Sequence, residues 1–365
     1  MRIQARRATW RGRIFAWFVA CLLFLSGRVS AQAVRGRVID SKTHLALPGA
    51  LVELRDTSGR SLLVQITPSS GAFLLTAPAA GRYLLRVVAI GYTPRRSTPI
   101  ALSEVVLSLP DIPLTPVSVR LPDLVVVARQ RFCGNTGFSD AVFGQLLEGA
   151  RTALQVIEAT IQSRQVGFQV TIVTSRILYG PVNNFITADT AVRLLATWPV
   201  RSVAADTLRT FGFGRQLRPG DEGSREYYGP DPQVLFSDWF LASHCFTLAK
   251  VRKGNDTLLV RFAPVRKDRK IDIRGELMLD AKNLSLHAMT FAHINLPSWM
   301  PEEAAGGEMQ FFQTPNGLWV TRNWAIWAPI AGLTWAGDGG LTMAGLAEVR
   351  GYVTRILLDS AGAHR

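Results

Sequence analysis

His244 is followed directly by Cys245, and a base beside a thiol is the raw material of a cysteine nucleophile. Neighbours on an extended strand point to opposite faces, so these two cannot pass a proton between them. The expectation is a structural histidine next to a disulfide cysteine. His287 and His293 are six positions apart and share one side of a regular strand, at a separation of about 20 Å that no single metal ion bridges. Asp231 and Asp238, in "YYGPDPQVLFSDW", are the residue type that does acid–base work in sugar hydrolysis, but a turn at "GPDP" already accounts for Asp231. Glu302 and Glu303, after "SWMP", read as a solvated loop or a helix start. There is no Gly-rich phosphate loop, HExxH, GxSxG or CxxC. No catalytic residue, metal or cofactor is therefore expected. The densest aromatic group is Trp319, Trp324, Trp327 and Trp335 with Phe311 and Phe312. Rings gathered like this either pack as core or line a pocket and stack on sugar rings, which makes them the candidate ligand-binding residues.

Residues 1–33 have to be set aside before these side chains are placed on elements. "MRIQARRATWRGR" has five arginines and no acid, "IFAWFVACLLFL" is a twelve-residue apolar run, and "VSAQA" ends in small residues. That order is a secretory signal peptide, cleaved after Ala31 or Ala33, and its apolar run is too short to span about 30 Å of hydrocarbon. Cys21, followed by more apolar residues, leaves with it. The leader takes six arginines, so the formal charge of +14 falls to +8. The remaining arginines are scattered, with one dense run at "RKDRK" (266–270), and no basic stripe is interleaved with aromatics. Nucleic acid is not an expected partner. Cys133 and Cys245 survive export as a pair, and an oxidising compartment favours a disulfide between them over two buried thiols. Closing a loop of 112 positions is worth at most about 4 to 5 kcal/mol.

Residues 34–109 alternate between short strands and turns at the spacing of a small β-sandwich. "GRVID", "LPGALVEL", "SSGAFLL" and "AGRYLLRVVAIGY" follow one another in the order of the carboxypeptidase regulatory-like domain, and the segment resembles that family closely. The resemblance implies a seven-stranded Ig/prealbumin-like sandwich without catalytic residues. In that family the module is an accessory of peptidases, surface proteins and TonB-dependent receptors, and its fold group overlaps with carbohydrate-binding sandwiches. Residues 110–131, with four prolines ahead of a β-branched run, read as a semi-rigid linker. "LPDLVVVARQR" also resembles the lead-in to a receptor plug, but the 234 residues that remain are too few for a plug and a 22-stranded barrel.

Residues 132–365 read as an α+β domain. In "GFSDAVFGQLLEGARTALQVIEATIQSR" (137–164), Val142, Phe143, Leu146, Leu147, Ala150, Ala153, Leu154, Ile157 and Ile161 fall on one helical face, with Ser139 as N-cap and Asp140 in the first turn. "VGFQVTIVTSRILY" is a long strand, and residues 187–198 read as a short helix or an irregular crossover. The last third is an antiparallel meander punctuated by "DAKN" and "PNG" turns. "GELMLDAKNLSLHAMTFAHI" and "GGEMQFFQTPNGLWVTRNWAI" resemble the late strands of lipoprotein-carrier and lipoprotein-sorting proteins, which implies a half-barrel cradling an apolar ligand. The expected molecule is mainly β: the sandwich, then a large antiparallel sheet packed on a long helix. The expected role is that of a non-catalytic exported protein of the periplasm or outer membrane, serving binding or assembly, with envelope polysaccharide, lipid or an outer-membrane protein as partner. Two alternatives stay open, a carbohydrate- or lipid-binding protein using the aromatic sheet and a small outer-membrane barrel.

Overall fold

The computed structural model describes residues 32–103, 105–117, 131–133, 141–163, 166–180, 182–218, 220–249, 257–265, 269–333 and 340–358. The expected leader, most of the expected linker, Ser139 and Asp140 expected to cap the helix, Trp335 and the "SAGAHR" tail lie outside them.

The first nine strands are β1 (Ala33–Asp40), β2 (Leu51–Arg55), β3 (Ser61–Ile66), β4 (Ala72–Thr76), β5 (Gly81–Val88), β6 (Arg95–Arg96), β7 (Ile100–Leu102), β8 (Leu107–Ser108) and β9 (Ile112–Leu114). One sheet joins β4, β1, β8 and β9; the other joins β3, β2, β5, β6 and β7. Period-two alternation sends Phe73 and Leu75 of β4 and Tyr83, Leu85 and Val87 of β5 into a shared core with Val34, Val52 and Leu54. Gly71 turns the chain into β4 at φ +70°, and a Cβ there would sit 2.5 Å from the Val38 carbonyl, so no other residue fits. The sandwich does not stop at Leu109. Ile112–Leu114 pairs in parallel with Val38–Asp40, so the last strand falls inside what the prolines mark as linker. An edge strand tolerates Pro113 because only one side needs its amide.

The remaining strands are β10 (Arg131–Cys133), β11 (Val166–Leu178), β12 (Phe185–Leu195), β13 (Gly214–Gln216), β14 (Arg225–Tyr227), β15 (His244–Ala249), β16 (Thr257–Pro264), β17 (Asp272–Asp280), β18 (Leu286–Ile294), β19 (Gly306–Gln313), β20 (Trp319–Leu333) and β21 (Leu341–Leu358). The helices are α1 (Ala141–Gln162), α2 (Ala205–Phe211), α3 (Pro232–Leu235) and α4 (Asp238–Ser243). Ten strands form one sheet, in the order β10, β15 to β21 consecutively, β11, β12. Among the described residues its two ends do not pair, so the sheet is open where a small barrel would have to close. α1 lays Leu146, Leu147, Ala150, Ala153, Leu154, Ile157 and Ile161 into a core with Val260, Leu277, Met289, Met309 and Trp324 of the sheet. No helix among the described residues is long and apolar enough to cross a membrane.

Residues 187–198 do not form a helix or a crossover. β12 runs antiparallel to β11 over all its eleven residues, and nearly all of it is exposed. Phe185 and the β-branched Ile186, Thr187, Thr190 and Val192 favour a strand, but Thr190 breaks the alternation of Ile186, Ala188, Val192 and Leu194 at its centre, and no buried face reinforces it.

The sandwich packs directly on this second layer. Leu51, Ile66 and Val88 belong to the same core as α1. Gly49, at φ +73°, approaches the hairpin between β19 and β20 so closely that a Cβ would lie 2.5 Å from the Gly317 carbonyl.

Candidate binding cleft

Where the sandwich meets α1 a cleft of about 580 Å³ opens. β2 and β3 supply one wall with Leu51, Glu53, Val64, Gln65 and Ile66, α1 supplies the facing wall, and α3 closes it with Pro232 and Gln233. The α1 residues are Gln155, Glu158, Ala159 and Gln162, spaced three and four apart and therefore one stripe of the helix. This stripe lies beside the apolar one, which is why the same helix seals the core and presents a polar wall.

The Glu158 carboxyl is pushed up to about 7, first by burial and second by the Asp231 carboxylate; hydrogen bonds from Gln162 and Gln233 oppose the rise. Gln162 Nε2 donates to Glu158 Oε1 at 3.3 Å. Asp231 itself caps α3, its Oδ1 accepting the Val234 N–H at 2.7 Å. On the opposite wall Arg86, almost fully buried, donates to Glu53 Oε2 at 3.1 Å and to Gln155 Oε1 at 3.4 Å, and lies 3.7 Å from Glu148. Glu53 is thus paired with a guanidinium, while Glu158 is poised to gain or lose a proton near neutrality. Gln65 alternates with Val64 and Ile66 along β3, and its amide turns to β4, where it accepts the Leu74 N–H at 2.8 Å. The lining is a set of anchored amides and carboxyls over an apolar floor.

The aromatic group expected to bind ligand is not brought together. Trp319, Trp324 and Phe311 are buried. Trp324 lies beneath Gly351, where any Cβ would overlap its ring, and Phe311 stacks on Trp198 at 6.2 Å between centroids. Trp327 and Phe312 point to the other side of the sheet. The Trp327 indole donates to the Glu303 carbonyl at 3.1 Å, beside a shallower cleft of about 490 Å³, and Phe312 lies under the Arg322 guanidinium at 5.9 Å. Parity predicts this split: Trp324 and Trp327 are three apart on one strand, and Phe311 and Phe312 are adjacent. Trp335 lies outside the described residues. The cleft itself carries a weaker signal, a Gln and Glu stripe along α1 whose facing wall comes from a segment about ninety positions earlier.

His244 is fully buried and stacks on Phe240 at 3.7 Å. Its Nε2 lies 3.2 Å from Asp272 Oδ1 and its Nδ1 3.0 Å from Ser243 Oγ. The three groups resemble a hydrolytic triad in composition, but the imidazole is sealed under Phe240, and Ser243 meets Nδ1 while the carboxylate takes Nε2. Nδ1 also lies 3.2 Å from the Phe240 carbonyl, which accepts the Ser243 hydroxyl at 3.3 Å, so both ring nitrogens find partners within the fold. His293 is also buried, and its Nε2 donates to the Tyr228 carbonyl at 2.8 Å. His287 is exposed. No cluster of three metal-ligating side chains occurs among the described residues. Cys245 is disulfide-bonded, and its directly opposed residue on the neighbouring strand is Cys133.

Residues 33–115 match the carboxypeptidase regulatory-like domain. No curated protein matches the chain by sequence. Among solved structures, a proposed carbohydrate-binding protein of Bacteroides uniformis is similar at 10% identity over 71% of this chain and 95% of its own, with a TM-score of 0.22. A DUF3823 family protein of the same organism is similar at 12% identity over 63% and 89%, with a TM-score of 0.21. A LolA superfamily protein from Nitrosomonas europaea is similar at 9% identity over 58% and 94%, with a TM-score of 0.24.

Proposed function

We propose that this chain is an exported, non-catalytic binding protein of the cell envelope, that its ligand is a neutral carbohydrate, and that the ligand occupies the cleft between the sandwich and α1. The observation that carries the reading is the lining: the amides of Gln155, Gln162 and Gln233 with two carboxyls, set over Leu51, Val64 and Ile66. A sugar hydroxyl both donates and accepts, and a glutamine amide offers one of each; the apolar floor suits the C–H face of a sugar ring. A cavity of this size accommodates a mono- or disaccharide. A lipid is the poorer fit. The sheet face that would cradle an acyl chain in a half-barrel is filled by α1 and its own side chains. The non-catalytic reading rests on how the carboxyls near Glu158 are engaged: Glu53 by Arg86 and, at 3.9 Å, by Arg55, and Asp231 as the cap of α3. Export rests on the leader in residues 1–33.

Calorimetric titration of the leader-free protein with a panel of neutral and acidic oligosaccharides tests the assignment. Binding heat is expected from a neutral sugar, with affinity falling about tenfold or more in Gln155→Ala/Gln233→Ala, since two polar contacts are lost. A panel that gives no heat, or a double variant that binds as well as the parent, refutes it.

A further inference from the structure

β12 is the last strand of the ten-stranded sheet, and among the described residues it pairs with β11 alone. Its outer edge is therefore a row of backbone donors and acceptors facing solvent. Edges of this kind are normally short, bulged, or guarded by lysine or proline. β12 has eleven residues, no lysine, no proline and an unbroken register with β11. It also exposes large apolar side chains: Phe185 is 69% exposed, Ile186 67%, Val192 60% and Leu194 64%.

The sequence of the strand, FITADTAVRLL, keeps nearly the same polarity pattern when read backwards about Thr190. Phe185 answers Leu195, Ile186 answers Leu194, Thr187 answers Arg193 and Ala188 answers Val192. An antiparallel second copy centred on Thr190 therefore sets apolar residues against apolar ones on both faces of the strand pair, and each such pair occurs twice. The charges fit as well. Asp189 falls opposite Ala191 of the second copy, with Arg193 of that copy on one diagonal and its own counterpart on the other, and no like charges are directly opposed. The register centred on Thr190 is the one that matches Ile186 with Leu194 and Phe185 with Leu195. We infer that β12 is a dimer interface, through which two copies of this chain pair edge to edge about a two-fold axis at Thr190 and join their sheets into one. In the single chain the Asp189 carboxylate accepts the Thr190 N–H at 2.8 Å. In the dimer that N–H passes to a backbone carbonyl of the second copy, and the carboxylate turns to Arg193 of the second copy.

The inference is independent of the carbohydrate reading. It is tested by light scattering on the leader-free protein through a dilution series, beside Val192→Lys/Leu194→Lys and single cysteine variants. A concentration-dependent dimer is expected, weakened about tenfold or more in the double lysine variant, because two apolar cross-strand pairs per copy are lost. The lysine variant should keep the parent's circular dichroism and thermal transition, since both side chains are exposed. Thr190→Cys, which meets its own copy at the axis, should give a covalent dimer on mild oxidation, and Ala188→Cys should not. A monomer at every concentration, a dimer indifferent to the lysines, or cross-linking through Ala188→Cys in place of Thr190→Cys would each overturn it.

Discussion

Glu158 and His293 pull the stability of the molecule in opposite directions as pH changes. The Glu158 carboxyl moves from 4.5 to about 7, so the folded chain holds its proton more tightly than the unfolded chain does between those values. Its contribution is complete below about 4.5 and is lost as pH rises through about 7. Burial lowers His293 from 6.5, so the folded chain resists that proton. This contribution is complete above 6.5 and is lost as pH falls below it. Glu158→Gln should remove only the first effect. Relative to the parent, the variant is expected to gain roughly 1 to 2 kcal/mol between pH 5 and pH 8, less than full linkage because the carboxyl remains partly wetted. Urea unfolding midpoints at the two pH values measure it. A difference between variant and parent that does not change with pH would show that Asp231 and burial do not act on this group as the geometry requires.

At the level of elements, α1 holds the second layer together, and Leu154, like Leu146, has no exposed surface. Leu154→Ala is expected to destabilise the protein by about 2 to 5 kcal/mol, because the rigid sheet behind it cannot collapse into the gap. A loss under about 1 kcal/mol would mean that the helix is not seated as described. The helix could be read from the sequence because one buried face imposes the three- and four-residue step on Leu146 through Ile161. The hairpins from β15 to β21 could be read for a similar reason, since turns such as Asp280–Asn283, where Asp280 accepts two backbone N–H groups, are written locally. What could not be read was non-local. β21 pairs with β11, which lies some 180 positions earlier, and the complementarity of the two strands leaves no mark within either. β12 escaped because it buries no face, and the cleft because each of its walls looks like ordinary polar surface until the other is placed against it.

At the scale of the whole molecule, the sandwich is part of the architecture and not a tethered accessory. Its own core stands apart, yet Leu51, Ile66 and Val88 close the core of α1, and Arg86 reaches from β5 to Glu53, Glu148 and Gln155 at once. Prolines in residues 110–131 predict separation because they report only on the covalent connection, whereas the contact is made by strand faces far from it. Arg86 therefore has two roles that one substitution cannot separate: it pairs with Glu53, and it holds Gln155 at the cleft wall. Arg86→Met alone leaves the mostly enclosed Glu53 carboxylate with only the 3.9 Å contact to Arg55 and should cost about 3 kcal/mol. Adding Glu53→Gln removes that charge, and most of the loss should return. Gln155 would still lack its guanidinium partner, so sugar affinity in the double variant should stay below the parent's by several-fold. Denaturation and titration on the parent and these two variants separate the two roles. Recovery of stability without recovery of binding would place Arg86 in the recognition surface. Recovery of both would reduce it to a partner for Glu53, and the sandwich to a wall that merely encloses the cleft.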